Sequence, residues 1–340
     1  MSNDQEQKLI INGYVFEKLI GEGTYSKAFK VYSLQYDKYF CAKMTEVDDS
    51  YFDEDGNPRD PELMALINLD NPNVIKVYKY FRQDSFFFLI LELCECGTLI
   101  ERLNSGVPLD SMSTQIIMKD IISALVACHA LKIAHRDIKP SNIFIDNFGH
   151  AKVADFGLSE ILASHQATVN VACGSPSYAA PEIYGDKGYD PFKADVWALG
   201  VTFYQIVFGE LPWPDEITLA GPERPPLTYP TTCNPLLLDL LQQMLSLNPD
   251  DRPNMNTIFM NPFFNSGGLS AKNKKEESFI RSTISLRNVH KDLPRVQSNG
   301  QTKLMQSAAH RIRSLHPSMD RSRRSSARII QKPLTFQENS

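Results

Sequence analysis

Up to about residue 90, short runs of β-branched and aromatic residues alternate with clusters of turn formers. Residues 14–20, 28–32, 39–44, 74–81 and 86–91 therefore predict five short strands. One short helix interrupts them: Asp60 supplies an N-cap, Pro61 takes the first helical position, and the pattern runs to about residue 69. Beyond Gly97 the apolar period becomes helical, with Ile117, Ile121, Leu125 and Cys128 on one face. Residues 194–208 are apolar nearly all round and stop at Gly209, which predicts a helix buried on every side. Asn234-Pro235 repeats the cap-plus-proline signal ahead of a helix over 236–247. Strands first and helices afterwards predict an α+β chain with a strand-rich lobe, a helix-rich lobe and a ligand cleft between them.

After Phe264 the pattern stops. Asn-Ser-Gly-Gly leads into a stretch rich in Ser, Asn, Gln, Lys and Arg with few aromatics, which cannot bury enough surface to offset its ordering entropy. Residues 266–340 are expected to be largely disordered, with a short helix near 303–315. Charge divides at the same place: from residue 265 onward 15 Lys/Arg face 5 Asp/Glu, leaving 20 against 35 before it, so an acidic body carries a basic tail. The six cysteines show no C-x-x-C spacing, which argues against a zinc site or disulfide framework and for a reducing, cytoplasmic or nuclear compartment. The opening ten residues are polar, and no run nears the ~18 apolar residues that span a bilayer, so neither a secretory signal nor a transmembrane segment is expected.

Chemistry enters with the glycines. Gly21 and Gly23 stand between two predicted strands, where their backbone N–H groups could approach phosphate oxygens or simply close a β-hairpin. Lys43, on the next strand, fits a phosphate partner or a solvated face. Glu62 fits an ion pair with that lysine, or the carboxylate that a helix macrodipole favours in a first turn.

The run His135-Arg136-Asp137-Ile138-Lys139-Pro140-Ser141-Asn142 differs in kind. It sets a carboxylate, a cation two residues on and an amide five residues on in one loop. Phosphoryl transfer needs that set: a proton acceptor, a positive charge for the transferring group and an oxygen ligand for Mg²⁺. Asp155-Phe156-Gly157 adds a second hard oxygen suited to magnesium.

With these residues in order, the chain resembles the eukaryotic protein kinases over residues 10–264. The resemblance also takes in Ala180-Pro181-Glu182, Asp195-x-Trp197-x-x-Gly200 and Arg252. It implies an N-terminal extension over 1–9, a bilobal kinase fold divided into 10–93 and 94–264, and a tail over 265–340. It further implies ATP with Mg²⁺, and transfer of the γ-phosphoryl group to protein substrates. Asp137 would be the catalytic base and Lys139 would steady the γ-phosphate. Asn142 and Asp155 would hold magnesium, and Lys43 with Glu62 would set the α/β-phosphates. Gly21, Gly23, Ala28, Cys41, Leu91, Glu92, Cys94 and Phe144 would complete the ATP site. Leu91 stands at the gatekeeper position, and Glu92 and Cys94 would offer backbone groups to adenine. Leu66, Val77, His135 and Phe156 resemble the stacked apolar residues that align the lobes. Glu182 with Arg252 would form a structural ion pair, and Asp195 would brace the catalytic loop. Lys139 and Ser175, the latter facing Asp137, resemble serine/threonine kinases, and residues 189–213 look most like the calcium/calmodulin-dependent and AMP-activated group.

The sequence departs from the family pattern at several points. Ser26 replaces the third loop glycine, Ala28 and Cys41 replace the usual Val and Ala, and Pro61 places Glu62 in a first helical turn. The position four before Ser175, where relatives carry a phosphorylated Thr that Arg136 would pair with, is Val171; Thr168 and Ser164 are the remaining candidates. Where relatives select basic peptides with acidic groups, this chain has Thr98 and Ser141, with Glu101 as a compensating carboxylate, and its acidic body favours basic substrates. The tail, with Arg281-Ser282-Thr283 and Arg321-Ser322-Arg323-Arg324-Ser325-Ser326, suits an intramolecular contact, a phosphorylated docking site or a contact with acidic membrane or nucleic acid, although it carries no specific nucleic-acid motif. A pseudokinase scaffold would have lost one of Lys43, Asp137, Asn142 or Asp155. A small-molecule phosphotransferase would lack the long segment from Asp155 to Glu182.

Overall fold

A computed structural model describes residues 9–23, 25–220, 223–227, 229 and 233–265. The expectations for the tail, including its helix near 303–315, lie outside the described residues. The described chain forms two units, a strand unit of residues 9–63 with Ile75–Leu93 and a helical unit of Met64–Val74 with 94–265. The architecture is α+β and two-lobed.

The strand unit is one antiparallel sheet of β1 (Leu9–Ile11), β2 (Tyr14–Glu22), β3 (Ser26–Ser33), β4 (Lys38–Glu46), β5 (Val77–Gln83) and β6 (Phe86–Leu91), in the order β1-β2-β3-β4-β6-β5. In β3 and β4 every second side chain is buried, the signature of a sheet with one face on a core. Phe29, Val31, Phe40, Ala42 and Met44 pack there with Tyr14, Phe16, Phe81, Phe88 and Ile90. Rings of Phe81 and Phe88 stack at 5.0 Å. β6, central between β4 and β5, is buried along its whole length. Two register shifts in the β2–β3 pair, between Phe16 and Lys18 and between Leu19 and Gly21, bend the strand that leads to the glycine turn.

Two differences from the sequence reading have local causes. β1 was not predicted, yet Asn12 and Gly13 both take positive φ, 50° and 82°, and fold it back on β2 as an Asn-Gly hairpin. β5 begins at Val77 rather than at residue 74, because the Asn73 carbonyl accepts from Val153 N–H at 2.7 Å and Val74 bridges Val153 within the helical unit.

Helix α1 (Pro61–Leu66) opens as predicted: the Asp60 carboxylate accepts from Leu63 N–H at 2.6 Å. It ends before residue 69, since Asn68 and Leu69 donate to carbonyls only three residues back, at 3.2 Å each.

The helical unit contains α2 (Leu99–Asn104), α3 (Ser111–Ala130), α4 (Pro191–Phe208), α5 (Asp215–Ala220), α6 (Pro235–Met244), α7 (Met255–Phe259) and α8 (Pro262–Asn265). Two small sheets accompany them, β7 (Ile133–Ala134) with β10 (Glu160–Ile161) and β8 (Ile143–Ile145) with β9 (Ala151–Val153). α3 has the length and mean hydropathy, 1.2, of a membrane span. Yet it contains Lys119 and Asp120, and its face of Ile117, Ile121, Leu125 and Cys128 is buried against neighbours that include α4, α7 and β9. α4 starts at Pro191, three residues earlier than predicted, because Asp190 caps Phe192 and Lys193; Gly209, at φ 78°, closes it. α6 stops at Met244 rather than 247, since Ser246 N–H donates only three residues back, to the Gln243 carbonyl at 3.3 Å.

Candidate active site

Residues predicted to bind a nucleotide fall in both units. In the strand unit, sheet register decides which of them share a face. Ala28 pairs with Gly21 and with Lys43, and Cys41 pairs with Leu91. Directly paired residues project to the same side. Ala28, Cys41, Lys43 and Leu91 therefore stand together on the face opposite the core residues Phe29, Ala42 and Ile90. Gly21 and Gly23 are exposed where β2 turns into β3, and Gly23 N–H closes that turn on the Ser26 carbonyl at 2.8 Å.

Lys43 Nζ donates to Glu62 Oε2 at 2.6 Å, and Glu62 is buried at 3% exposure. A first-turn carboxylate that only answered the macrodipole would stay in water, so the ion pair decides between the two sequence readings. Cys41 is half-buried and desolvation pushes its thiol up to about 12, against the partial relief given by Lys43. Glu92 N–H is engaged by the Lys76 carbonyl at 2.8 Å, so a ligand contact through Glu92 runs to its carbonyl.

In the helical unit the loop after β7 gathers the remaining groups. Asp137 is buried at 8% exposure, and both of its oxygens are held. Oδ1 accepts from Ser175 N–H and Ser175 Oγ, each at 3.0 Å. Oδ2 accepts from Lys139 Nζ at 2.7 Å and from Asn142 Nδ2 at 2.9 Å. Lys139 Nζ also donates to Ser175 Oγ at 2.7 Å. One carboxylate thus receives a hydroxyl, an ammonium, an amide and a backbone N–H, and the set fixes its orientation.

Asn142 Nδ2 donates a second bond to the Asp137 carbonyl at 2.8 Å, so the amide offers its Oδ1, a hard oxygen, to a cation. Its own carbonyl accepts from Ala154 N–H at 2.9 Å, which draws Asp155 close to Asn142 along the backbone. His135 fixes the same peptide from the other side. Asp137 N–H donates to His135 Nδ1 at 3.3 Å, so Nε2 carries the proton and donates to Ala154 O at 3.0 Å. Phe156 is fully buried against the His135 ring at 4.6 Å, while Asp155 is exposed in the left-handed region at φ 59°. Asn142 and Asp155 thus each bring a hard oxygen to this part of the loop, the donor type a divalent cation takes.

Asp195, 1% exposed, supports this loop. It accepts from Arg136 N–H at 2.8 Å, from His135 N–H at 2.9 Å and pairs with His129 Nε2 at 2.9 Å. Glu182 takes Arg252 bidentately, at 2.6 and 2.8 Å, and the Arg252 guanidinium lies over the Trp197 ring at 4.9 Å. Phe144 lies on β8, bridged to Thr98, and Cys94 is half-buried in the helical unit. Thr168 is exposed, its Oγ1 lying 3.1 Å from where a Cβ on Gly188 would project.

Glu101 is engaged by its own helix. Oε2 accepts from Thr98 N–H at 2.7 Å and Thr98 Oγ1 at 2.8 Å as a capping box, and the backbone bond holds its carboxyl below the usual range. The capping box gives that charge a structural use while Glu101 stays exposed.

Two participants were missed from the sequence. Gly174 has φ +96°, and a Cβ there would come within 2.5 Å of the Arg136 carbonyl. Only glycine lets residues 174–175 lie this close to the catalytic loop; its signal was the glycine directly before Ser175. Glu160 pairs with Arg136 at 2.6 Å, a contact with no local sequence signal.

Residues 14–264 match the family of the protein kinase domain. The chain is 30% identical to testis-specific serine/threonine-protein kinase 3 of Homo sapiens over 274 residues, covering 77% of this chain and 99% of that protein. It is 30% identical to CBL-interacting protein kinase 20 of Oryza sativa subsp. japonica, over 76% of this chain and 59% of the relative. With the "Probable cell cycle serine/threonine-protein kinase CDC5 homolog" of Encephalitozoon cuniculi it shares 30% identity, over 74% of this chain and 54% of the relative. The chain thus spans between half and three fifths of the length of these last two proteins. A family match over most of the chain, beside a relative covered almost whole, gives the arrangement around Asp137 its place: the chain belongs to the protein kinase family.

Proposed function

We propose that this chain is a serine/threonine protein kinase, moving the γ-phosphoryl group of ATP to a Ser or Thr hydroxyl of a protein. The observation that carries the reading is the Asp137 carboxylate, oriented jointly by Ser175, Lys139 and Asn142. Asp137 takes the proton of the attacking hydroxyl as its oxygen bonds to the γ-phosphorus. The bond from that phosphorus to the β–γ bridging oxygen breaks and ADP leaves. Lys139 supplies positive charge beside the transferring group, and Lys43, held by Glu62, supplies it at the α/β-phosphates.

Magnesium is the divalent ion we assign to Asn142 Oδ1 and Asp155, because hard oxygens suit it; when bound it offsets phosphate charge. Ala28, Cys41, Leu91 and Glu92 would receive the adenine, with Gly21 and Gly23 at the phosphates; Cys94 and Phe144 are the further ATP-binding positions that the family resemblance implies. Basic substrates are favoured by the acidic balance of residues 1–264, with Glu101 exposed as a further carboxylate. The basic tail is proposed as an intramolecular contact for that acidic body, and the six free cysteines fit a cytoplasmic or nuclear setting.

The test is transfer of label from γ-labelled ATP to a mixture of basic and acidic peptides, followed by phosphoamino-acid analysis. Phosphoserine and phosphothreonine on basic peptides are expected. Label on tyrosine alone, or none, contradicts the reading.

A further inference from the structure

Arg136 stands directly before Asp137, and its side chain is 9% exposed. One guanidinium nitrogen donates to Glu160 Oε2 at 2.6 Å and the other to the Val171 carbonyl at 2.6 Å. Tyr189 Oη donates to that same carbonyl at 3.1 Å, and Val169 and Tyr189 exchange backbone bonds at 3.0 and 2.9 Å. Val171 is only four residues from Ser175, whose N–H and Oγ meet Asp137. A single buried cation therefore ties β10 and the activation segment to the catalytic loop.

A buried guanidinium needs a compensating anion. From the sequence, that anion would be a phosphate on the activation segment, but the position in question is Val171, which has no hydroxyl. Here the anion comes from Glu160, five residues after Asp155. Thr168, one of the two remaining candidate phosphosites beside Ser164, has its hydroxyl against Gly188.

We propose that Glu160 is a positioning residue that acts in place of an activation-segment phosphate. Its carboxylate holds Arg136, Arg136 holds Val171, and residues 171–175 then seat Ser175 on Asp137 with Thr168 unmodified. The proposal rests on the kinase reading and adds its regulation: activity that needs no activating phosphorylation.

The test uses the full chain, treated with phosphatase and verified free of phosphate by mass spectrometry. Wild type, Thr168→Ala, Glu160→Gln, Glu160→Ala, Glu160→Asp, Arg136→Ala and the Arg136→Ala/Glu160→Ala pair are compared. Phosphatase-treated wild type and Thr168→Ala should keep kcat within about twofold of untreated protein. Glu160→Gln and Glu160→Ala should lower kcat on the order of tenfold to a hundredfold, with the KM for ATP little changed and most of the loss restored by Glu160→Asp. In the Arg136→Ala background, Glu160→Ala should cost less than about twofold more, because the two residues act as one unit.

Hydrogen exchange supplies a readout independent of turnover. Amides of residues 171–175 should exchange faster in Glu160→Gln, while those of β3 and β4 stay unchanged. Loss of wild-type turnover on phosphatase treatment overturns the proposal, as does wild-type kcat and exchange in Glu160→Gln, or an undiminished Glu160→Ala effect without Arg136. If no variant turns over at all, it is the kinase reading that fails, and the exchange of residues 171–175 alone decides the role of Glu160.

Discussion

Asp195, from the first turns of α4, places its Oδ1 2.8 Å from the backbone N–H of Arg136, 59 residues earlier in the chain. Arg136 sits at φ 66°, a conformation that non-glycine residues adopt at a cost. The neighbouring His135 N–H goes to the other oxygen of the same carboxylate at 2.9 Å. The core helix thus fixes the backbone immediately before Asp137, and packing becomes catalytic geometry.

Replacing Asp195 by Ala removes the acceptor of both N–H groups. At about 1–3 kcal/mol for each of the two buried donors left unsatisfied, roughly 2–6 kcal/mol of folding stability should be lost. Urea unfolding of wild type beside Asp195→Ala measures it. A loss within experimental error would show that this loop keeps its shape without the carboxylate.

Gly174→Ala should injure activity more than stability. An added Cβ meets the Arg136 carbonyl at 2.5 Å and must also bear φ +96°. Strain of about 1–3 kcal/mol is expected, with the segment moving off Asp137 and kcat falling on the order of a hundredfold. Steady-state kinetics beside thermal unfolding separates the two effects, and an unchanged kcat would contradict the close approach.

Lys43→Met should leave the sheet folded, because Lys43 projects from the face opposite the core residues Phe40, Ala42 and Met44. Loss of a positioned cation costs on the order of a hundredfold to a thousandfold in kcat. Circular dichroism with ATP-dependent peptide phosphorylation checks both halves, and retained turnover would remove Lys43 from the mechanism.

Cys41 gives a pH prediction. Its folded thiol is pushed up to about 12 by burial, against the ordinary 9.0 available to the unfolded chain. The unfolded state therefore releases this proton first as pH rises, and the stability contribution, complete below 9, is lost between about 9 and 12. At pH 8 iodoacetamide should modify the exposed Cys96 well before Cys41, as read by peptide mass spectrometry. Equal rates would show that Cys41 is not desolvated.

What was legible in the sequence follows from how local each signal is. Asp60-Pro61 and Asn234-Pro235 announced α1 and α6 because a cap is chemistry between neighbours, confirmed where Asp60 holds Leu63 and Asn234 holds Leu236. Helix ends were harder: α6 tightens to a three-residue-back bond at Ser246, and residues 243–247 hold no proline or glycine to mark that turn. Glu62 could not be decided from its own turn, since the deciding partner lies 19 residues away on β4. Glu160 was invisible altogether, because a carboxylate on a two-residue strand looks like a solvated charge until Arg136 is placed against it.

The central claim, that Asp137 is the base of a protein kinase, is tested most directly by initial rates of γ-phosphoryl transfer from ATP to a basic serine peptide, wild type beside Asp137→Asn. The substitution is nearly isosteric but removes the proton acceptor, so the rate should fall on the order of a hundredfold to ten-thousandfold while ATP still binds. Equal rates in the two proteins would contradict the account.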